Sequence, residues 1–343
     1  MVYKSTYETY QKSGCRIWIA VSGEELGGPR ARTGKSWLTV VYQTNSNLKR
    51  IKCQAFLCSE IELLAIPKSV EEIEMDCFCR CKNLQYISFE AGSNLQKLEE
   101  GALSYSGLRS ALLPKSLRCL GHRNFKFCTY LTEFQCERGI ALARLPYELW
   151  YGSGLEYAEI PATVAEIHAA CFCHCLALKT VCFRSQTTLK MIGQEAFHCT
   201  ALKSIQIPGS VEFVGDRSFA DCRNLREVGL EEGSALREIN MDAFIRSALD
   251  SFDIPGRVET LRLGCFAQCS RLETCTFRAG SVLPLIPLRC FTESALTEIE
   301  IPNSVHTIER RSFAGCRSLR LVKFGQGSAL TDHKRRGIRE VHF

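Results

Sequence analysis

The chain has 343 residues, of which 45% are hydrophobic and 23% are charged, with a formal net charge of +6. This composition excludes a disordered protein, because it supplies enough apolar surface to offset the entropy lost on folding. The basic excess lies in residues 1–50 and 331–343 while the middle is close to neutral, so nucleic-acid binding is not expected, and no apolar run reaches the roughly 20 residues that a membrane helix needs.

Residues 1–36 precede the repeats and are interpreted as a non-repeat N-terminal cap or tail. Within them, the segment from Gly28 to Ser36 is similar in composition to a phosphate-binding loop. Five residues separate its glycines where four are needed, and Pro29 has no amide donor for a phosphate. A basic loop is therefore favoured over a nucleotide site, and no cofactor is predicted.

Residues 37–330 form a repeat with a period of 47 residues and no insertions or deletions. Each unit divides into halves of 24 and 23 residues, and each half carries the pattern Leu-x-x-Φ-x-Φ, where Φ is apolar. The alternation at the end of this pattern is typical of a strand with one buried face. The period is carried by ladders of proline, phenylalanine and cysteine: Pro67, Pro114, Pro161, Pro208, Pro255, Pro302; Phe78, Phe125, Phe172, Phe219, Phe266, Phe313; and Cys81, Cys128, Cys175, Cys222, Cys269, Cys316.

The repeat predicts a solenoid, because one short strand in every half cannot bury its apolar face unless it stacks on its neighbours. We predict an α/β repeat solenoid of about 13 repeats with one curved parallel sheet, in which a phenylalanine-bearing turn or short helix packs behind the sheet. The predicted strands include residues 84–89, 131–136, 178–183, 202–207, 225–230, 249–254, 272–277, 296–301 and 319–324.

The full pattern is Leu-x-x-Ile-x-Ile-Pro-x-Ser-Val-x-x-Ile, followed by Phe, Cys and Leu at fixed spacing, and residues 296–319 reproduce it almost position by position. It resembles the BspA-type leucine-rich repeat of surface antigens and adhesion proteins. The resemblance covers about residues 37–330 and implies a leucine-rich repeat horseshoe that binds other proteins or host surfaces, without catalytic residues. It also implies the cell surface, whereas this sequence shows no signal peptide and would by default be cytoplasmic.

The repeat breaks off after Leu330, and residues 331–343 are interpreted as a basic C-terminal tail or a truncated repeat. An unfinished sheet edge offers unpaired backbone groups to another chain. Self-association as a structural protein is therefore one alternative to recognition of a different protein, and an intracellular interaction adaptor is another.

The chain contains 20 cysteines, and the ladder cysteines lie where the repeat needs a small buried residue. A free cysteine packs as a small hydrophobe at such a position. Cys171, Cys173, His174 and Cys175 could form a local zinc site, but their spacing does not give the usual pairs of converging ligands. Reduced thiols are favoured, and no metal is predicted.

Some cysteines lie in adjacent layers of the predicted solenoid, among them Cys58 with Cys81 and Cys175 with Cys199. The spacing of adjacent strands falls inside the range that a disulfide can bridge. Without a visible signal peptide, we expect these thiols to stay reduced.

The residues that flank the inward-facing position of each strand vary, while the core positions repeat. A constant core with a variable exposed stripe suits a protein-binding scaffold. The stripe consists mainly of acidic and hydroxyl-bearing residues, so a basic or polar protein segment is the expected partner. A catalytic domain is not expected, because the non-repeat segments are too short to form one. The candidate residues of this concave face are Tyr86, Ser88, Glu133, Gln135, Tyr157, Glu159, Ser204, Gln206, Ser251, Asp253, Glu298 and Glu300.

Overall fold

The structure is a computed structural model that describes residues 46–325 in full. Nearer the N-terminus it describes only the backbone of the strand segments 7–12, 15–20, 25–26 and 39–42. The described residues are arranged in strands and tight turns, and they include no helix that is long and apolar enough to cross a membrane.

The chain divides into two compact units, and the first is Met1–Val164. Its longer strands pair in the order β1-β2-β4-β6-β8-β10-β12, and its two-residue strands pair in the order β11-β9-β7-β5-β3. Every pair is parallel except the hairpin of β1 and β2. In chain order these strands, with β13 and β14, are β1 (Tyr7–Lys12), β2 (Cys15–Ala20), β3 (Glu25–Leu26), β4 (Thr39–Tyr42), β5 (Arg50–Ile51), β6 (Leu63–Ile66), β7 (Glu72–Ile73), β8 (Tyr86–Phe89), β9 (Lys97–Leu98), β10 (Ser110–Leu113), β11 (Cys119–Leu120), β12 (Glu133–Cys136), β13 (Arg144–Leu145) and β14 (Tyr157–Ile160).

The second unit is Ala165–Phe343. Among its four-residue strands β18 pairs with β20, and β22, β24, β26 and β28 pair in that order; among its two-residue strands β15, β17, β19, β21 and β23 pair in that order, and β25 pairs with β27. The strands are β15 (Glu166–Ile167), β16 (Thr180–Phe183), β17 (Met191–Ile192), β18 (Ser204–Ile207), β19 (Phe213–Val214), β20 (Glu227–Leu230), β21 (Glu238–Ile239), β22 (Ser251–Ile254), β23 (Thr260–Leu261), β24 (Thr274–Phe277), β25 (Leu285–Ile286), β26 (Glu298–Ile301), β27 (Thr307–Ile308) and β28 (Leu321–Phe324).

Both units are therefore built as a parallel-strand β-solenoid, and the predicted strands are confirmed with a small shift. The observed strands begin two residues later than predicted, as at Tyr86 in place of residue 84. The leading Leu84 still belongs to the preceding turn, because its N–H donates to the carbonyl of Cys81 at 3.1 Å. The two-residue strands were not predicted from the sequence, and the count of about 13 repeats stays a prediction, as do the boundaries at 37 and 330.

The longer strands alternate between the core and the exposed face, as the period of two requires. In β18, Ile205 and Ile207 are buried while Ser204 and Gln206 are exposed. Behind the strands, each turn buries one large apolar side chain, which we call its anchor. The inward Phe252 of β22, for example, lies 5.2 Å from the anchor Phe244, measured between ring centroids. The anchors are Phe56, Phe78, Leu103, Phe125 and Trp150 in the first unit and Phe172, Phe197, Phe219, Phe244, Phe266, Phe291 and Phe313 in the second.

The anchor segment forms a turn and not a helix because left-handed residues interrupt it on both sides. Arg217 and Asp221, two residues before and after Phe219, have φ of 53° and 56°, whereas a helix needs consecutive values near −63°. The N–H of Phe219 donates to the carbonyl of Ala243 in the next repeat at 2.8 Å. The helical part of the α/β prediction is therefore not confirmed within the described residues.

The anchors of the second unit stack ring on ring. The Phe219 ring lies 5.3 Å from that of Phe197 and 5.2 Å from that of Phe244, with interplanar angles of 10° and 2°. Beside this stack, the Cys222 thiol donates to the carbonyl of Phe197 at 3.1 Å and lies 3.3 Å from Thr200 Oγ1. The ladder cysteines are thus packing residues, as predicted, with a hydrogen bond to the preceding turn.

The thiols of this ladder should resist alkylation in the folded protein. Burial raises the pKa of Cys222 to about 11 and the pKa of Cys269 to about 12, and the thiolate is the form that reacts. We expect iodoacetamide at neutral pH to label the exposed Cys58 and Cys182 and to leave Cys222 and Cys269 unmodified until the protein is unfolded. Mass spectrometry of timed samples gives the rates, and labelling of Cys222 as fast as that of Cys58 would contradict this packing.

Candidate functional site

The outward positions of the longer strands in the first unit carry several large apolar side chains. Leu63, Tyr86, Leu112 and Tyr157 are 45–48% exposed, although each is followed in its strand by a buried residue. Leu63 lies opposite Tyr86 in the register of β6 and β8, and Ser110 of β10 lies on the other side of Tyr86. The alternation along each strand directs these four side chains to the same face, and together we call them the apolar and aromatic patch.

The structure places the predicted face residues at the first and third positions of their strands. Glu159 is half-buried, and the remaining residues are exposed. Their accessibility agrees with the prediction, and their role in binding stays a proposal. The exposed members are Tyr86, Ser88, Glu133, Gln135, Tyr157, Ser204, Gln206, Ser251, Asp253, Glu298 and Glu300.

The corresponding face of the second unit is polar, and part of its acidic charge is paired within the face. Arg278 Nε donates to Asp253 Oδ2 at 2.6 Å, and Thr276 Oγ1 donates to Asp253 Oδ1 at 2.7 Å. Lys323 Nζ donates to Glu298 Oε2 at 3.0 Å. These exposed pairs reduce the negative field that the sequence predicted for this stripe, so the case for a basic partner is weaker than the sequence suggested.

The repeat motif and the strand geometry now identify the family. The family model described as "BspA type Leucine rich repeat region" matches this chain in six copies, over residues 49–179, 143–273, 190–320 and 284–333. The chain belongs to the BspA-type leucine-rich repeat family. Its resemblance to that family, noted from the sequence, is thereby confirmed.

Solved structures share this solenoid fold at low sequence identity. A leucine-rich repeat protein from Bacteroides ovatus is 20% identical, with a TM-score of 0.57 over 95% of this chain and 88% of that chain. The pneumococcal vaccine antigen PcpA is 17% identical, with a TM-score of 0.51 over 94% of this chain and 92% of that chain. No curated protein matches this chain. At these identities the likeness is one of fold.

The outward residues of the intervening strands complete the BspA-type face and were missed by the sequence prediction. The same Leu-x-x-Φ-x-Φ pattern marked their strands, so the signal was present in the sequence. In register, Thr274 of β24 lies opposite Ser251 of β22, and Glu227 of β20 lies opposite Ser204 of β18. The added residues are Leu63, Ala65, Ser110, Leu112, Thr180, Cys182, Glu227, Gly229, Thr274, Thr276, Leu321 and Lys323.

The cysteine-rich segment of the second unit is arranged differently from the zinc alternative considered above. Cys171 and Cys175 are buried among core residues, whereas the Sγ atom of Cys173 lies 3.6 Å from Nδ1 of His198 on the next turn. His198 was not predicted as a site residue. The sequence signal was its spacing of 24 residues from His174, which is one half-repeat. The glycine-containing segment from residue 28 to 36 lies outside the described residues.

Proposed function

We propose that the protein is a non-catalytic BspA-type scaffold that binds a protein partner through the outward face of its longer strands. The observation that carries this proposal is the contrast between the two sides of each strand. In β22 the inward Phe252 and Ile254 are apolar like their equivalents in other repeats, whereas the outward Ser251 and Asp253 differ from theirs. Outward residues can therefore change without altering the core.

The first unit offers the larger exposed side chains for contact with a partner. Tyr86 and Tyr157 are exposed, and each belongs to a short strand that pairs with a neighbouring strand. Their backbone is therefore already ordered, so binding would restrict few additional torsion angles. A few residues near the centre of an interface, among which tryptophan, tyrosine and arginine are over-represented, contribute most of its binding energy. We propose that the patch of Leu63, Tyr86, Leu112 and Tyr157 is the centre of the binding face.

A protein partner fits this face better than nucleic acid does. Among the described residues, the outward positions of the four-residue strands from β6 to β28 contain several carboxylates, including Glu133 and Glu300, and one basic residue, Lys323. A nucleic-acid site needs clustered cations opposite the phosphates. We propose polar and apolar contacts with a folded or extended protein segment.

A place at the cell surface, with an adhesion or antigen-like role, is the finer form of this proposal. It is supported by the family and by the likeness in fold to a pneumococcal vaccine antigen. Self-association through a strand edge is the competing proposal. Light scattering over a range of concentrations separates the two, since a stable monomer favours recognition of a different protein.

The proposed face is tested by affinity capture with matched variants. The protein is immobilised and exposed to extract and surface fractions of the cells that make it, and bound proteins are quantified by mass spectrometry. We expect Tyr86→Ser combined with Leu112→Ser to lower recovery of the specific partner at least tenfold, because the apolar contacts at the centre are lost.

The matched control is Tyr130→Ser, because Tyr130 is 64% exposed on a turn of the same unit. It lies beside Tyr105, Phe127 and Arg80, which form a second aromatic groove. Recovery should be unchanged in this variant. Loss of the partner with Tyr130→Ser but not with the face variant would overturn the proposal and assign binding to the turn groove.

A further inference from the structure

Metal-ligating side chains converge on adjacent turns of the second unit, away from the outward strand face. Cys173 and His174 follow the anchor of one turn, and His198 and Cys199 follow the anchor of the next. The N–H of His174 donates to the carbonyl of His198 at 2.9 Å, and His174 has a left-handed φ of 58°. The stacked backbone therefore holds these positions side by side before any ligand arrives.

The separation of the donor atoms fits a tetrahedral zinc ion. Cys173 Sγ lies 3.6 Å from His198 Nδ1. Two ligands at the usual Zn–S and Zn–N bond lengths lie about 3.6 Å apart when the angle at the metal is tetrahedral. The ligand atoms of Cys173, His174 and His198 all lie within 4.8 Å of one another, a spread that rotation of the half-buried His174 side chain can close.

The protonation states suit coordination. Zinc binds histidine through the lone pair of the neutral imidazole, and the His198 ring is half-buried, an environment that disfavours the charged form. Cys173 is 1% exposed, and a thiol bound to zinc loses its proton to solvent as the Zn–S bond forms. A buried thiolate is costly when alone, and the dication compensates its charge.

The other ring nitrogen of His198, Nε2, already faces a carboxylate. His198 Nε2 lies 3.4 Å from Asp221 Oδ2. Arg246 donates to both oxygens of that carboxylate, at 2.7 Å from Nε and 2.6 Å from Nη2, and thereby lowers the pKa of Asp221 to about 2. A metal-bound histidine usually donates its other ring N–H to a carboxylate, which fixes the tautomer and strengthens the ligand. Asp221 and Arg246 supply this support when the metal is on Nδ1.

A competing arrangement would place the ion on the other side, between His198 Nε2, Cys199 and Asp221. Cys199 Sγ is 3.5 Å from His198 Nε2, so the distances alone do not exclude it. Asp221 is, however, held by Arg246 through both oxygens, and an ion there would lie beside a guanidinium. The two ring nitrogens point in opposite directions, so one ion cannot use both.

We propose that Cys173, His174 and His198 Nδ1 bind one zinc ion, with water as the fourth ligand. Such an ion would join two successive repeats of the second unit. This site is independent of the proposed binding face, because its residues lie on the turns and not on the outward positions of the longer strands.

Cobalt(II) is the probe, because it replaces zinc and reports its ligands by absorption. The full chain is stripped of metal with a chelator under reducing conditions and titrated with cobalt. We expect one equivalent of cobalt to give tetrahedral visible bands together with a thiolate-to-cobalt charge-transfer band, and we expect added zinc to displace the cobalt.

The variants test each ligand. Cys173→Ser should abolish the charge-transfer band, and His174→Ala should weaken the affinity for cobalt at least tenfold. Asp221→Asn should keep the band and weaken affinity about 10–100-fold.

The matched control is Cys79→Ser. Cys79 is buried at the equivalent position 94 residues earlier, where Arg80 and Ser104 replace the two histidines. This variant should bind cobalt as the unmodified protein does, and so should Cys199→Ser. His174 is half-buried, so His174→Ala tests the site even if Cys173→Ser fails to fold.

Three results would overturn the proposal. Loss of the band in Cys199→Ser with retention in Cys173→Ser would assign the metal to the Asp221 side. Equal loss in Cys79→Ser and Cys173→Ser would mean adventitious binding by thiols. The lack of any charge-transfer band in the unmodified protein would mean that these residues bind no metal.

Discussion

Replacing Phe219 by alanine is expected to lower the free energy of unfolding of the second unit by about 3–5 kcal/mol. The Phe219 side chain is fully buried and stacked between Phe197 and Phe244 at 5.3 and 5.2 Å. Its removal loses the transfer free energy of the ring and leaves a cavity in the stack, which the hydrogen-bonded turns cannot close. A urea titration followed by circular dichroism measures the change.

The control for this prediction is Phe213→Ala. Phe213 is the same residue type six positions earlier, on the exposed side of β19, and it is 38% accessible. Its replacement should change the free energy of unfolding by about 0.5 kcal/mol or less. A loss below about 1 kcal/mol for Phe219→Ala, or equal losses for the two variants, would show that the repeat register is wrong.

Replacing Gln268 by proline is expected to destabilise the second unit by about 3 kcal/mol or more. Gln268 lies two residues after the anchor Phe266, with φ of 59°. Its N–H donates to the carbonyl of Thr292 in the next repeat at 2.6 Å. Proline removes that donor and requires φ near −65°, so both the turn and the bond between repeats are lost. Thermal and urea unfolding measure the effect.

Gln268→Gly separates the backbone requirement from the loss of the side chain. Glycine keeps the N–H and adopts a positive φ without steric cost, while it increases the entropy of the unfolded chain. These effects oppose each other, so the free energy of unfolding should stay within about 1 kcal/mol of that of the unmodified protein. A proline variant as stable as the glycine variant would contradict the left-handed turn.

The sequence was sufficient to predict the stacking direction and the buried side of each strand, because these follow from apolar spacing. Leu202, Ile205 and Ile207 recur at the same offsets in other repeats, and all three are buried. The same reasoning placed Gln206 and Asp253 on the exposed face, where the structure has them. Spacing alone therefore fixed the register.

The form of the turn could not be predicted in the same way. Arg217 and Gln268 are residue types that rarely adopt positive φ, and Asp221 is of a type that adopts it more readily. All three adopt it here because their N–H groups donate to carbonyls of the next repeat. This is a tertiary effect that local propensity does not contain. The sequence predicted either a turn or a short helix at the phenylalanine, and the structure has a turn for this reason.

The proximity of His198 to Cys173 was likewise beyond the spacing rules for zinc sites. Those rules search for ligands two to four residues apart along the chain. In a solenoid, ligands can come from successive repeats, and these two are 25 residues apart. The half-repeat of 23 or 24 residues, which the sequence shows, is the interval at which ligands on successive turns of a solenoid meet.

The most direct test of the binding face is hydroxyl-radical footprinting of the captured complex, with each side chain compared in the free and bound protein. Tyr86, Leu112 and Tyr157 should lose at least half of their oxidation on binding, while Tyr130 and Leu176, which are 64% and 71% exposed on turns, should not change. Protection of Tyr130 or Leu176 with unchanged oxidation of Tyr86 and Leu112 would contradict the account and place the partner on the turns.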